Sequence, residues 1–171
     1  AVSGDLGSAA GVADVVRGVN ERNVPVDILY NNAAIQNAWR EIWDITQEEW
    51  QASFQTNLFA VVALCNAFAP PMKARNYGRI INLSSGIKGT PQLAPYSVSK
   101  AAIDKYTQDL AAELRGTNVL ANTLDPGWLR TDMGGPNAMG DVESVLPGAL
   151  VPALLADSGP SGTNYSAQEY K

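Results

Sequence analysis

The chain has 171 residues, of which 46% are hydrophobic and 17% are charged, and its formal net charge is −5; this composition predicts a globular protein of about one domain and excludes a disordered or fibrous chain. There is no histidine and only one cysteine, Cys65, which excludes histidine-based catalytic triads, intrachain disulfides and metal sites built from those residues, so we expect no metal. Because the sequence has no basic run, no long apolar span and no signal-peptide pattern, we expect neither a nucleic-acid nor a membrane partner, and a cytoplasmic protein.

Short apolar runs alternate with long helical patterns along the chain. The predicted elements, in chain order, are a helix from Ser8 or Ala9 to residue 22, a strand over 26–31, a helix over 48–73, a strand over 78–84, a helix over 96–114, a strand over 118–124 and a helix over 141–155. Thr46 and Glu49 form a capping-box pattern before the first long helix, and Pro147 and Pro152 shorten or kink the last one. The alternation, with continuously apolar strands, is typical of an α/β fold with a parallel sheet.

Parallel sheets of this kind bind ligands beyond the carboxyl ends of their strands. The segments that follow the three predicted strands are residues 31–34, 84–86 and 125–131, and they are small, polar or rich in glycine. We therefore expect a binding crevice where these three segments meet.

Tyr96 and Lys100 lie four residues apart at the start of the second long helix, so both side chains point to the same side of that helix. A free tyrosine has a pKa of about 10, and an ammonium group within roughly 4–6 Å lowers the pKa by favouring the phenolate. The two residues are therefore a candidate general acid/base pair, with an ordinary surface pair as the alternative.

Three further polar residues are candidates for the same site. Ser84 and Ser85 end the second strand, where a hydroxyl can polarise a substrate carbonyl; the alternative is a simple turn. Asn57 lies among apolar neighbours inside the first long helix, where asparagine is unfavourable. It is either buried with hydrogen-bond partners or an exposed polar position.

Taken together, these motifs resemble those of the short-chain dehydrogenase/reductase family, and they occur in the family's order along nearly the whole chain. The matching segments are residues 4–6, the strand end 27–34, Asn57, the serine strand 79–85, Tyr96 with Lys100, and Pro126-Gly127 followed by Thr131. The resemblance implies a Rossmann-like, doubly wound parallel sheet in three α/β/α layers, formed by residues 1–171 as a single, partial domain.

The resemblance also implies an oxidoreductase that interconverts a small-molecule alcohol and a carbonyl by hydride transfer with NAD or NADP. Tyr96 would be the general acid/base, and Lys100 would lower the Tyr96 pKa and hold the nicotinamide ribose. Ser85, with Ser84 as the fallback, would polarise the carbonyl, and Asn57 would hold a water that links Lys100 to solvent. The residues implied to contact the cofactor are Asp5, Leu6, Asn32, Ala33, Ala34, Tyr96, Lys100, Pro126, Gly127, Leu129 and Thr131.

The sequence departs from the family's pattern in two ways. Ala34 replaces a glycine and adds a methyl group near the expected cofactor. More severely, the Gly-rich strand–turn–helix that holds the cofactor pyrophosphate is missing, so we expect an N-terminally incomplete piece of a chain of roughly 250 residues. Strand 26–31 would then have an unprotected edge. The alternative is a catalytically inactive α/β module that lacks the pyrophosphate site.

The two long helices, over 48–73 and 96–115, carry apolar residues on more than one side. By resemblance to the family, we expect them to form a homodimer or homotetramer interface; the alternative is that neighbouring helices of the same chain cover them. Residues 130–141 would form a mobile lid over the substrate, with an ordinary surface loop as the alternative.

Overall fold

The computed structural model of the protein describes residues 1–170. Its parallel sheet has four strands, which lie side by side in chain order: β1 (Ile28–Asn31), β2 (Gly78–Leu83), β3 (Val119–Asp125) and β4 (Asn164–Ser166). The α-helices of the described chain are α1 (Ala9–Asn20), α2 (Gln47–Phe54), α3 (Ala60–Arg75) and α4 (Ala94–Glu113). Short 3-10 helices cover Ile42–Asp44, Pro91–Leu93, Val142–Val145, Gly148–Ala153 and Ala167–Glu169.

The sheet is covered on both faces, which explains the continuous apolar pattern of its strands. All six residues of β2 are buried. Helices α1, α3 and α4 pack on one face and bury Ile80 of β2. The 3-10 segments near the C-terminus cover the other face and bury Ile81. These three layers confirm the predicted Rossmann-like α/β fold.

Two segments near the C-terminus differ from the sequence prediction. The helix predicted over 141–155 is wrong: this segment forms the two 3-10 helices Val142–Val145 and Gly148–Ala153. Pro147 lies between them and Pro152 lies inside the second, and both lack the backbone N–H that a continuous α-helix needs. Strand β4 was not predicted, because three residues, two of them polar, are too short to show an alternating pattern.

The helix predicted over 48–73 begins as expected and is interrupted in the middle. Thr46 and Glu49 form the predicted capping box, in which the Thr46 hydroxyl accepts from the Glu49 N–H and the Glu49 carboxylate accepts from the Thr46 N–H. A π-helical turn, Gln55–Phe59, separates α2 from α3 and contains Asn57. Such turns are rare and are frequent at functional sites.

One helical stretch, Gln47–Arg75, is long and apolar enough to cross a membrane by length and composition alone, with a mean hydropathy of 1.3 in its most apolar window. Half of that window is buried inside the protein. A core helix of a globular protein passes the same test, and the burial of α3 against β2 is that of a core helix.

A chain of buried side-chain hydrogen bonds connects the strands to the helices. Asn31 Nδ2 of β1 donates to Asn82 Oδ1 of β2 over 2.8 Å, and Asn82 Nδ2 donates to Thr107 Oγ1 of α4 over 2.9 Å. Asn31 and Asn82 are also register partners in the sheet. Because an unpaired buried amide costs roughly 1–3 kcal/mol, these bonds favour this strand register over its neighbours.

Strand β1 lies at one end of the sheet and pairs only with β2 within residues 1–170. Its Ile28 and Tyr30 are 43% and 37% exposed. The expectation that strand 26–31 has an unpaired edge is therefore met in the described part of the chain.

Arg79, on β2, is 1% exposed and joins β2 to the C-terminal segment. Its guanidinium donates to the carbonyl oxygens of Leu155, Gly78 and Asn118, the Gly78 and Asn118 contacts both measuring 2.9 Å. Asp157 also accepts a hydrogen bond from the guanidinium, but the Asp157 side chain is 75% exposed. The bonds to buried carbonyls, rather than the ion pair, hold Arg79 in place.

We expect Arg79→Met to lower the free energy of unfolding by about 2–4 kcal/mol, because the buried carbonyl oxygens lose their donors. Asp157→Ala is the control and should cost less than about 1 kcal/mol, since its partner keeps the carbonyl contacts. Urea denaturation of both variants measures the two effects. A larger loss for Asp157→Ala than for Arg79→Met would contradict this account.

Candidate functional site

The carboxyl ends of β1, β2 and β3 meet at one edge of the sheet, as the sequence predicts. Residues 84–86 follow β2 there, and Asp125 ends β3. The first turn of α4 brings Tyr96 to the same edge, where the Ser85 side chain acts on its pKa. The strand ends on which the crevice was predicted therefore lie at one edge of the sheet, together with the first turn of α4.

Lys100 lies beneath Tyr96 on the same side of α4. Its ammonium nitrogen is 5.7 Å from the centre of the Tyr96 ring and donates to the Leu83 carbonyl oxygen over 2.7 Å. The side chain is buried, and burial lowers the Lys100 pKa to about 8, although the carboxylate of Asp104 opposes this change. A lysine with a pKa near neutral pH can change its charge under ordinary conditions.

Tyr96 does not show the lowered pKa that the sequence predicts. Burial raises the Tyr96 pKa, and the negative charge of Asp125 also raises it, whereas the side chain of Ser85 lowers it. Lys100 does not produce the expected lowering, because its ammonium group donates to the Leu83 carbonyl and because burial disfavours its charged form. Tyr96 is therefore a neutral phenol here, which is the form that donates a proton.

The two serines lie in different environments. Ser84 is 3% exposed, and its hydroxyl has no hydrogen-bond partner within residues 1–170. Ser85 is partly exposed just after β2, accepts a hydrogen bond from the Ile87 N–H over 3.3 Å and lies close enough to Tyr96 to act on its pKa. Of the two candidates, only Ser85 is placed to act together with Tyr96.

Asn57 is buried, with 1% of its surface exposed, and its side chain makes three hydrogen bonds. It accepts from the Ile35 N–H and donates to the Ile35 carbonyl, both over 2.8 Å, and it donates to Ser99 Oγ over 3.0 Å. Asn57 thus fastens the segment after β1 to α4. The predicted water that would link Lys100 to solvent through Asn57 stays a prediction.

The residues implied to contact a cofactor lie in three places. Asn32, Ala33 and Ala34 follow β1, and Asn32 and Ala33 are exposed at the crevice. Pro126, Gly127, Leu129 and Thr131 follow β3, where Gly127 has a φ of 82°, a left-handed conformation that favours glycine. Asp5 accepts from the Gly7 N–H over 2.9 Å, and Leu6 packs its side chain against the helical core.

The predicted lid is a loop whose ends are joined. Arg130 N donates to the Gly140 carbonyl over 2.8 Å, and Gly140 N donates to the Trp128 carbonyl over 3.1 Å. The Met133 carbonyl accepts from Gln36 Nε2 over 3.1 Å, so the tip of this loop touches the segment after β1. The loop is therefore closed at its base, and its role as a lid over the substrate stays a prediction.

Sequence reasoning missed Asp125 and Ser99 as site residues. Asp125 ends β3 and its charge acts on Tyr96, while Ser99 holds Asn57. The sequence does indicate Asp125, since it is an acidic residue directly at the end of a parallel strand. No sequence pattern indicates Ser99, because its hydrogen-bond partner Asn57 is more than 40 residues away in the sequence.

Comparison with known proteins adds an independent finding. Residues 1–140 match the sequence model described as short chain dehydrogenase. The uncharacterized oxidoreductase YvrD of Bacillus subtilis (strain 168) is 36% identical over 125 residues, which are 72% of this chain and 47% of that protein. The chain spans about half the length of the first such relatives.

The fold is also similar to solved structures. A gluconate 5-dehydrogenase from Burkholderia cenocepacia J2315, in complex with NADP and tartrate, has a TM-score of 0.80 and 26% identity, covering 95% of this chain and 71% of that one. An NAD+-bound xylitol dehydrogenase has a TM-score of 0.79 and 25% identity, covering 95% of this chain and 75% of that one.

We expect Asn57→Ala to free the segment after β1, because the Ile35 N–H and carbonyl both lose their side-chain partner. Hydrogen exchange at the Ile35 amide should become roughly 10- to 100-fold faster, which corresponds to a loss of about 1–3 kcal/mol in local stability. Ser99→Ala is the control, because it removes the third hydrogen bond and leaves both Ile35 contacts. Unchanged exchange at Ile35 in Asn57→Ala would show that other contacts hold this segment.

The lowered Lys100 pKa predicts how stability depends on pH. Between about pH 8 and pH 10.5, the unfolded chain holds the Lys100 proton and the folded chain does not, so this lysine makes stability rise with pH. The wild type should therefore gain stability relative to Lys100→Met across this window, on the order of 3 kcal/mol at about 1.36 kcal/mol per pKa unit.

Urea denaturation of both proteins at pH 7 and pH 10.5 tests this, with Lys105→Met as an exposed control on the same helix that should stay within about 0.5 kcal/mol of wild type at pH 7. A constant difference between wild type and Lys100→Met would mean that Lys100 keeps its proton throughout.

Proposed function

Since this chain belongs to the short-chain dehydrogenase family, we propose that it is an oxidoreductase that interconverts an alcohol and a ketone or aldehyde with NAD or NADP. The observation that carries the proposal is the joint position of Ser85 and Tyr96, since the Ser85 side chain lies close enough to the Tyr96 hydroxyl to act on its pKa, at the carboxyl edge of the sheet and beside the buried Lys100. Two adjacent hydroxyl donors are what a carbonyl oxygen needs when it becomes an alkoxide.

In the reducing direction, the substrate oxygen lies between the two hydroxyls. Ser85 donates a hydrogen bond that polarises the carbonyl, and Tyr96 transfers its proton to the oxygen as negative charge develops there. When bound, the nicotinamide ring supplies the hydride that the carbonyl carbon accepts. In the oxidising direction, the Tyr96 phenolate removes the alcohol proton, so that direction requires the deprotonated tyrosine.

The residues at these strand ends are of the kind that can hold a nicotinamide cofactor. The strand ends after β1 and β3 expose small residues and a left-handed glycine, which allow a ligand to approach the backbone closely. In this proposal the cofactor is held by Asp5, Leu6, Asn32, Ala33, Ala34, Tyr96, Lys100, Pro126, Gly127, Leu129 and Thr131. Lys100 holds the ribose and, when protonated, stabilises the Tyr96 phenolate.

The oligomeric state and the cellular location of the protein stay predictions. Several apolar residues on which a dimer was predicted are buried within the chain, among them Val61, Cys65 and Phe68. Phe59 and Val98 remain 54% and 44% exposed on the two long helices. These two side chains support a homodimer or homotetramer through these helices, and we further propose a cytoplasmic protein.

We expect Tyr96→Phe to reduce turnover by roughly 10²–10⁴-fold, because it removes the proton donor and leaves the ring in place. Cofactor affinity should change little, since the hydroxyl acts on the substrate. Tyr106→Phe is a matched control, because Tyr106 lies on the same helix and its hydroxyl faces Cys65, away from the crevice. Absorbance at the reduced cofactor's wavelength and cofactor-binding titrations measure both effects.

Near-normal turnover in Tyr96→Phe would refute the proton-transfer role. No turnover by wild type with any alcohol or carbonyl and either cofactor would refute the proposed function itself.

A further inference from the structure

Asp125 places a carboxylate beside the two hydroxyls of the site. Its Oδ1 accepts from the Gly127 N–H over 2.9 Å. Its Oδ2 lies so close to Gly86 that a Cβ atom at that glycine would be 2.7 Å away. Gly86 directly follows Ser85, and the charge of Asp125 reaches Tyr96. The carboxylate is therefore fixed next to the position of the reacting oxygen.

No cation neutralises this carboxylate within residues 1–170, where none of the ion pairs includes Asp125. On the segments around the crevice, Arg40 is paired with Glu49, and Arg130 is paired with Asp141. The ammonium group of Lys100 donates to the Leu83 carbonyl. Lys88, exposed two residues after Gly86, is the remaining cation nearby.

The loops that follow β1 and β3 expose large apolar side chains. The loop over 35–44 and the loop over 128–141, which includes the predicted lid, meet through the bond from Gln36 to the Met133 carbonyl. Both loops expose apolar residues: Ile35, Trp39, Ile42 and Trp43 on the first, and Trp128, Met133 and Met139 on the second. Apolar and aromatic side chains around a few fixed polar groups are typical of sites for small apolar ligands.

We propose that Asp125 is a specificity-determining residue that makes this site select uncharged, apolar carbonyl compounds and reject those with an anionic group next to the reacting carbon. This inference rests on the proposed function. A substrate carboxylate needs a cationic partner, best supplied by an arginine with free donors, and here it meets the Asp125 carboxylate. At an effective dielectric constant of about 20, two like charges roughly 8 Å apart weaken binding by at least about tenfold.

The test uses two nearly isosteric ligands, phenylglyoxylate and phenylglyoxylamide, which differ in the charge next to the ketone. Their affinities for the full-length protein are measured by isothermal titration calorimetry with a redox-inactive, uncharged tetrahydronicotinamide analogue of the cofactor present, so that the ketones cannot be reduced and no cationic ring lies beside them. We expect the wild type to bind the amide at least about tenfold more tightly than the acid. In Asp125→Asn, which keeps an Oδ1 acceptor for Gly127, this ratio should fall to near one.

Asp132→Asn is the matched control, because it removes an exposed carboxylate from the lid loop and should keep the wild-type ratio. Equal or tighter binding of the acid by the wild type overturns the inference, as does a ratio that Asp125→Asn leaves unchanged. Loss of acid binding in Lys88→Ala also overturns it, because Lys88 would then recruit anions.

The two proposals fail in different ways. The expected binding ratio, with no alcohol or carbonyl compound turned over with either cofactor, overturns the oxidoreductase proposal and supports the role of Asp125. Turnover of the amide with an unchanged ratio in Asp125→Asn does the reverse. Binding of neither ligand overturns the role of Asp125 and leaves the oxidoreductase proposal to the turnover measurements.

Discussion

The buried amide of Asn82 sets the geometry on which the rest of the structure depends. Because Asn82 lies in the middle of the sheet with none of its surface exposed, its amide must be paired inside the protein, and its partners are Asn31 on β1 and Thr107 on α4. Tyr96, Lys100, Ile103 and Thr107 are spaced four, three and four residues apart, so they share one side of α4. Fixing Thr107 against Asn82 therefore also fixes how far Tyr96 and Lys100 stand above the strand ends.

The sequence was informative where one pattern dominates local structure. The apolar strands predicted the parallel sheet, Thr46 and Glu49 predicted the start of α2, and the Tyr96–Lys100 spacing predicted two side chains on one helix side. The sequence was not informative where contacts between residues distant in the chain determine the local structure. Strand β4 exists because Asn164–Ser166 pairs with β3, and the C-terminal 3-10 helices follow the shape of the sheet they cover.

The electrostatics of the site could not be predicted from residue types. Tyrosine beside lysine suggests mutual stabilisation of phenolate and ammonium, yet burial shifts both pKa values towards the neutral forms. The extent of burial depends on packing by the whole fold, which no four-residue spacing reveals. Asp125, which ends β3 and lies 29 residues after Tyr96 in the chain, adds a negative charge. At neutral pH, before a ligand binds, the site thus holds a neutral Tyr96 phenol and a Lys100 that is still largely protonated, beside the Asp125 carboxylate.

The π-helical turn at Gln55–Phe59 gives the long helical stretch one place where its length can change safely. A π turn holds one residue more than an α-helical turn, so removing one residue there restores a regular helix with α2 and α3 still in phase. Removing a residue from within α3 would instead rotate everything before it by about 100° and turn Asn57 away from Ile35 and Ser99. We therefore expect the loss of one residue to be tolerated at this turn and not within the helix that follows it.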